Sequence, residues 1–179
     1  MTRPEKTLWS DEDGVIAVYE PHAYKTDSNG NSLFTTPNVH YFMQLEKDER
    51  IIQAYQDLQQ KNLPVCVLTN LTDIHPLYEE HQSDKSQWTK DAMSFLNMEK
   101  QFFTIHVPKW QHAMEHLKRP LCKTDILISD YNNDLIPWEQ AGGTGVKYLN
   151  GINSDESFKG AHIPMYWTTE QIVNYILSL

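Results

Sequence analysis

Short apolar runs typical of buried strands alternate along this chain with longer segments of helical periodicity. The run from Pro64 to Leu68 is apolar throughout, as expected for a strand covered on both faces, and a helical pattern in residues 47–61 precedes it. Further strands are predicted at residues 102–107, 125–129 and 145–149, and further helices at residues 76–96, 110–117, 135–141 and 168–176. This alternation predicts an α/β fold in which helices sandwich a parallel sheet.

Length and charge limit the domain number and the partners. With 179 residues, 40% of them hydrophobic, we predict a single domain over residues 1–179. The formal net charge of −9 argues against nucleic acid or an anionic membrane as a partner, because both attract positive surfaces. No stretch reaches the length of a membrane span, and the first residues lack a signal-peptide core, so we expect a cytoplasmic protein of unspecified oligomeric state.

The first apolar run ends in two aspartates, Asp11 and Asp13, which are followed by Gly14. Side chains alternate along a strand, so the two carboxylates would share one face, and a turn after Asp11 would gather them around one site. Their repulsion would be relieved by a hard divalent cation such as Mg²⁺. An ordinary polar turn is the alternative, since Asp and Gly are common turn residues.

Polar residues also follow the later apolar runs, namely Thr69, Lys109, Asp130 and Asp134. The carboxyl ends of parallel strands meet at one edge of a sheet, where ligands bind. One aspartate can attack phosphorus and another can exchange protons, while a hydroxyl and an ammonium group hold phosphate oxygens. The set therefore predicts a phosphoryl-transfer site.

In this order the residues resemble the four motifs of the haloacid dehalogenase superfamily of aspartate-nucleophile phosphatases. The matching motifs are Asp11-x-Asp13-Gly14-Val15, Leu68-Thr69-Asn70, Lys109 and Ile126-Leu-Ile-Ser-Asp130. Within the superfamily the chain is most similar to the 5′(3′)-deoxyribonucleotidase group, through Lys85-Ser-Gln-Trp88 and Trp138-Glu-Gln-Ala-Gly142-Gly143. The resemblance implies a Rossmann-like sheet, dependence on Mg²⁺ and a phospho-aspartyl intermediate.

The same resemblance implies roles for individual residues. Asp11 would be the nucleophile and Asp13 the general acid and base. Thr69, Asn70 and Lys109 would bind the substrate phosphate. Asp11, Asp13 through its backbone carbonyl, and Asp130 would hold Mg²⁺.

Two positions depart from the family pattern. Ser129 stands before Asp130 where a second acid is common, so Asp134 is either a carboxylate that acts on the metal through water or a solvated loop acid. Glu12 places a charge where the family usually has an apolar residue.

The activity that the resemblance implies is that of a 5′-nucleotidase, whose substrates, (deoxy)nucleoside monophosphates, are small phosphorylated molecules.

Residues 18–42 are predicted to form a small cap-like insertion after the first strand. Asn29-Gly30 is a hairpin turn signal, and the segment is rich in aromatic residues. Tyr24 and Phe34 are candidates for stacking on a nucleotide base. Packing of these rings onto the sheet is the alternative.

Other functions compete with this hypothesis. His112-Ala-Met-Glu115-His116 matches a zinc-protease pattern, but no third ligand accompanies it and a chance match is favoured. A response-regulator receiver also uses aspartates, a threonine and a lysine at strand ends, although its phosphorylated aspartate follows the middle strand. A catalytically idle protein that binds a nucleotide or a partner, and a phosphatase for another small ester, remain alternatives.

Overall fold

The computed structural model describes residues 5–18, 29–30, 32–73, 76–153 and 156–179. Its strands are β1 (Thr7–Ser10), β2 (Ala17–Val18), β3 (Glu46–Lys47), β4 (Val65–Asn70), β5 (Gln101–Thr104), β6 (Asp125–Ser129), β7 (Thr144–Leu149) and β8 (Ala161–Pro164). Six of them form one parallel sheet in the order β5-β4-β1-β6-β7-β8. In this order the chain reverses direction across the sheet at β1, which is where open α/β sheets bind ligands.

The helices are α1 (Glu49–Gln60), α2 (Leu77–Ala92), α3 (Lys109–Leu117), α4 (Asn132–Gln140) and α5 (Thr169–Ser178). They bury two separate cores, one on each face of the sheet. Leu8 of β1 lies in the core that includes α1 and α5, whereas its neighbour Trp9 lies in the core that includes α3 and α4. This alternation explains why β1 is apolar on both sides and confirms the predicted α/β sandwich.

The main differences from the predicted elements occur at the sheet edges. β5 ends at Thr104, so residues 105–107, which were predicted as part of this strand, lie outside it. β8 was not predicted, because its sequence Ala-His-Ile-Pro has a single buried apolar residue, Ile163, and ends in proline. Edge strands of this kind give a weak periodic signal.

The predicted insertion is described only in part. β2 and β3 pair antiparallel and so bring its two ends together. Leu33 and Phe34, which follow the predicted hairpin turn at Asn29-Gly30, belong to a short 3-10 helix, Leu33–Thr35, and a second such helix follows at Tyr41–Gln44. Tyr24 lies outside the described residues. The cap-like insertion therefore stays a prediction.

Candidate active site

The polar residues predicted for the site follow three adjacent strands. Asp11 follows β1, Thr69 belongs to the end of β4, and Asp130 follows β6. β1 pairs with both β4 and β6, and the backbone N–H of Asp11 donates to the carbonyl oxygen of Ile128 at 2.8 Å. The three strand ends therefore meet at one place.

The chain turns immediately after Asp11. The carbonyl oxygen of Glu12 accepts hydrogen bonds from the N–H groups of Ile16 at 3.1 Å and Ala17 at 2.9 Å. Gly14 has φ +75°, and a Cβ there would lie 2.4 Å from Oδ2 of Asp130. This position therefore needs glycine for its backbone conformation and for the close approach of Asp130.

Lys109 joins two of the predicted acids. Its Nζ lies 2.5 Å from Oδ2 of Asp11 and 2.8 Å from Oδ2 of Asp134. Burial opposes the charged form of this 2% exposed lysine, but Asp11 and Asp134 outweigh it and raise the pKa of Lys109. Ser129 Oγ lies 3.1 Å from Oδ2 of Asp11 and 3.3 Å from Oδ2 of Asp134. Asp134 is therefore part of the cluster and not a solvated loop acid.

Asp130 is surrounded by amides. Its Oδ2 accepts hydrogen bonds from Nδ2 of Asn150 at 2.9 Å and from Nδ2 of Asn153 at 2.8 Å. Burial and the nearby charge of Asp11 raise the pKa of Asp130 to about 6. Sequence reasoning missed both asparagines, although they follow β7 and the rule for polar residues after parallel strands covers them too.

Lys85 enters the site from α2, on the other side of the acidic turn. Its Nζ donates to Oδ2 of Asp13 at 2.6 Å and to Oγ1 of Thr69 at 2.9 Å, and it lies 3.8 Å from Oε2 of Glu12. The side chain is fully buried. Burial disfavours its charge, but Asp13 and Glu12 raise the pKa of Lys85 above its ordinary value. The sequence marked Lys85 only through the Lys-x-x-Trp pattern, which gave it no role in the site.

Glu12 lies between the two aspartates and is only 1% exposed. Burial raises the pKa of its carboxyl well above the ordinary value, and Lys85 opposes this shift. Its Oε2 has no hydrogen-bond partner among the described residues. A neutral carboxyl can occupy the place of an apolar residue, which accounts for the charge-bearing side chain at this position.

Two further predicted residues lie beside the cluster. Asn70 is exposed, and its Oδ1 accepts a hydrogen bond from Oγ1 of Thr104 on β5. Phe34 packs against Tyr41, Phe42 and His81 at centroid distances of 5.6, 5.9 and 5.2 Å. Phe42 of this aromatic group lies with its ring centroid 4.3 Å from Nζ of Lys85, so the group adjoins the site.

The zinc-protease pattern on α3 forms no metal centre within the described part of the chain. The rings of His112 and His116 pack on Phe102 at 5.5 and 4.5 Å, and no third ligand group joins them. Burial lowers the pKa of both imidazoles. The favoured interpretation as a chance match agrees with this packing.

Comparisons with known proteins identify the fold, but no match was found by sequence. No protein-family model matches the chain, and no curated protein sequence matches it. Among solved structures, the D,D-heptose 1,7-bisphosphate phosphatase of B. bronchiseptica, complexed with magnesium and phosphate, has a TM-score of 0.61 at 16% identity, over 97% of this chain and 98% of that one. The fold is haloacid dehalogenase-like.

Two hydrolases support the same conclusion. The haloacid dehalogenase (HAD) hydrolase of family IA, variant 3, from Entamoeba histolytica HM-1:IMSS has a TM-score of 0.63 at 13% identity, covering 96% of this chain and 99% of that chain. A hydrolase from Pseudomonas syringae has a TM-score of 0.63 at 15% identity, with coverages of 98% and 99%. At these identities the likeness extends to the fold alone. The narrower resemblance to deoxyribonucleotidases stays a prediction.

The donor set fits a divalent cation. Within the described residues no lysine, arginine or histidine forms an ion pair with Asp130, and the negative charge of Asp11 raises its pKa. A cation held by Asp11, Asp130 and the backbone carbonyl of Asp13 would relieve this repulsion with oxygen ligands alone. Hard cations such as Mg²⁺ prefer this chemistry.

Proposed function

We propose that this protein is a Mg²⁺-dependent phosphatase that hydrolyses a phosphate monoester through a phospho-aspartyl intermediate on Asp11. The observation that supports this proposal most directly is that the two aspartates after β1 contact different buried lysines. Asp11 contacts Lys109, and Asp13 contacts Lys85. Two acids and two ammonium groups around one turn supply a nucleophile, a proton carrier and positive charge for phosphate oxygens.

In the first step a carboxylate oxygen of Asp11 attacks phosphorus and the bond from phosphorus to the ester oxygen breaks. The leaving oxygen takes its proton from Asp13. In the second step Asp13 accepts a proton from water, the water oxygen attacks phosphorus, and the bond from Asp11 to phosphorus breaks to release phosphate. Oδ1 of Asp13 is enclosed and has no hydrogen-bond partner among the described residues, which leaves it available for this exchange.

Both lysines take part in this scheme. Lys109 stabilises the phosphoryl oxygens as the charge of Asp11 is consumed. Lys85 donates to Asp13 in the free protein and also contacts Thr69, a proposed phosphate ligand. When phosphate binds at Thr69, the ammonium group turns to the phosphate oxygens, and Asp13 takes up from solvent the proton that it gives to the leaving oxygen. Asp11, Asp130 and the backbone carbonyl of Asp13 would hold Mg²⁺, which would supply further positive charge for the phosphoryl group.

The proposed substrate is a (deoxy)nucleoside monophosphate. The motif Lys85-Ser-Gln-Trp88 supports this choice through its resemblance to deoxyribonucleotidases. Phe34 supports it independently, because its half-buried ring packs on Tyr41, Phe42 and His81 beside Lys85, and base recognition commonly uses such rings. Asn70 is proposed as a further phosphate contact at the rim.

The test is a screen for phosphate release from nucleoside monophosphates and sugar phosphates with Mg²⁺ at neutral pH. Asp11→Asn serves as the matched variant, because it keeps the shape of the side chain and removes the attacking carboxylate. We expect the wild-type protein to release phosphate from nucleotides and Asp11→Asn to do so at least about 10³-fold more slowly. Activity retained in Asp11→Asn would contradict the covalent mechanism, and nucleotide binding without release would favour an idle binding protein.

A further inference from the structure

A second group of metal-binding side chains lies outside the active site, where the turn before the Tyr41–Gln44 3-10 helix meets α2. One ligand atom each from His40, Glu80 and Asp84 lies within 4.8 Å of the others. In the described part of the chain, no other three histidine, cysteine or acidic side chains come together in this way. Glu80 and Asp84 are four residues apart on α2 and so share one face of the helix.

The buried member of this group has an unsatisfied oxygen. Asp84 is only 4% exposed, and its Oδ1 lies 2.9 Å from Nδ1 of His40. Its Oδ2 is enclosed and finds no hydrogen-bond donor among the described residues. An enclosed carboxylate oxygen without a donor is unfavourable, and a bound cation would satisfy it.

The backbone is arranged to bring His40 to this position. Oε2 of Glu80 accepts the N–H of Asn38 at 2.8 Å, and Oε1 accepts the N–H of His40 at 3.2 Å. Asn38 and His40 both have left-handed backbone conformations, with φ of 61° and 52°. Such conformations are unfavourable for residues other than glycine and persist where surrounding contacts support them. Glu80 provides this support and so fixes the imidazole beside Asp84.

We propose that His40, Glu80 and Asp84 form a site for a divalent transition metal, for which Zn²⁺ is the best match. An imidazole nitrogen and two carboxylate oxygens suit Zn²⁺, whereas Mg²⁺ favours oxygen ligands. Three protein ligands leave the fourth tetrahedral position to water. The metal fixes the turn at residues 38–40 to α2, the helix that brings Lys85 into the active site. The site is independent of the proposed phosphatase activity.

A protonated His40 is the competing account of the same geometry. The hydrogen bond and the charge of Asp84 raise the pKa of His40, so an imidazolium ion could balance Asp84 without a metal. The imidazolium would occupy the nitrogen that a metal needs. Metal binding therefore separates the two accounts.

The experiment is a calorimetric titration of the whole chain with Zn²⁺, after chelator treatment and in saturating Mg²⁺. The excess Mg²⁺ occupies the carboxylate site at Asp11 and Asp130 and so isolates the nitrogen-containing site. We expect one Zn²⁺ per chain. His40→Asn should weaken its affinity about tenfold or more, since it removes the imidazole ligand. Asparagine tolerates the left-handed conformation, so the turn is retained.

The chain offers a matched control in His106. It also has a left-handed backbone, with φ of 58°, and its Nε2 lies 2.9 Å from Oδ2 of Asp73, but the side chains of this pair are 71% and 70% exposed. His106→Asn should leave the Zn²⁺ affinity unchanged. Glu80→Gln is the second test variant, and it should weaken Zn²⁺ binding as His40→Asn does.

Two outcomes would overturn the proposal. One is the absence of a stoichiometric Zn²⁺ site in the Mg²⁺-saturated wild-type protein. The other is equal Zn²⁺ affinity in His40→Asn, Glu80→Gln and His106→Asn. Either result would leave the protonated His40 as the partner of Asp84. Absorption of the Co²⁺-loaded protein in the visible range, lost in His40→Asn and kept in His106→Asn, would support a tetrahedral site with an imidazole ligand.

Discussion

Lys85 and Lys109 come from different helices, and each holds an aspartate beside the end of β1. Both ammonium groups are buried, yet their acidic neighbours raise the pKa of each. Glu12 differs from the lysines, because burial outweighs the effect of Lys85 and raises the pKa of its carboxyl toward the neutral form. The charge state of the cluster therefore depends on pH through Glu12 more than through the lysines.

Glu12→Gln should change how stability depends on pH. The pKa of Glu12 rises from 4.5 to about 8, so the folded chain binds more protons than the unfolded chain between these values. The free energy of unfolding that Glu12 contributes therefore falls as pH rises through this window. Glutamine does not titrate, so the stability of the variant relative to wild type should increase by up to about 5 kcal/mol from the acidic to the alkaline end.

Urea unfolding of the chelator-treated protein across this pH range checks the prediction. Glu115→Gln, at an exposed position on α3, is the control and should keep the wild-type pH dependence. Parallel curves for wild type and Glu12→Gln would contradict the raised pKa.

Asp130→Asn and Asp134→Asn should affect the enzyme in different ways. Asp130 forms no ion pair with a lysine in the described ranges and is a proposed metal ligand, so its variant should raise the Mg²⁺ concentration for half-maximal activity about tenfold or more. Asp134 contacts Lys109, so its variant should lower kcat at saturating Mg²⁺ and leave the Mg²⁺ requirement nearly unchanged. Activity measured against Mg²⁺ concentration distinguishes them, and equal shifts would mean that the metal ligands are wrongly assigned.

At the scale of single elements, the turn after β1 and helix α2 both carry polar residues that lie in the site. α2 buries the polar residues His81, Asp84, Lys85 and Thr89 together with Trp88. The helix predicted at residues 76–96 ends earlier, at Ala92, so that Phe95 and Leu96 lie beyond it. A helix that brings polar groups to an active site has no clear apolar stripe, so periodicity places the helix but not its inward face.

Gly14→Ala tests the turn. Gly14 has φ +75° and a Cβ there would collide with Asp130, whereas Gly30 has φ +81° and nothing within 4 Å of its Cβ position. Both alanine variants should carry the cost of a left-handed backbone, about 1–2 kcal/mol. Only Gly14→Ala should also weaken Mg²⁺ activation, because it displaces Asp130. Unfolding free energies and Mg²⁺ titrations of the two variants check this prediction. Equal Mg²⁺ requirements in Gly14→Ala and Gly30→Ala would show that the close approach of Gly14 to Asp130 does not matter for activation.

At the scale of the whole molecule, the sheet order puts β1 between β4 and β6 and so collects residues from distant parts of the chain. The chain between β2 and β3 leaves the acidic turn and returns beside it. In its described part, Phe34 joins the aromatic group next to Lys85. None of the helices in the described ranges is long and apolar enough to cross a membrane.

Phe34→Ala tests whether this segment contributes to substrate choice. If the ring supports base binding, kcat/KM should fall about 5- to 100-fold for a nucleotide and remain nearly unchanged for a base-free phosphate ester, in line with base stacking of about 1–3 kcal/mol. Phe103→Ala, a half-buried ring on the edge strand β5, is the control and should affect neither substrate. Equal losses on both substrates in Phe34→Ala would indicate that the ring only packs the insertion.

The α/β class and the meeting of Asp11, Thr69 and Asp130 were predictable from the sequence. Apolar runs report burial on both faces, and parallel strands must bring their carboxyl ends to one edge. The sequence left open whether Asp134 belongs to the site, and its contact with Lys109 shows that it lies in the cluster.

The places of Lys85, Asn150 and Asn153, and the existence of β8, became known from the three-dimensional structure. Lys85 reaches Asp13 because α2 follows β4 and brings its side chain to Thr69 at the end of that strand, and the asparagines reach Asp130 because β7 pairs with β6. These contacts join residues 20 to 72 positions apart in the chain. Local periodicity carries no information about such distant neighbours, since they are set by strand order and helix packing.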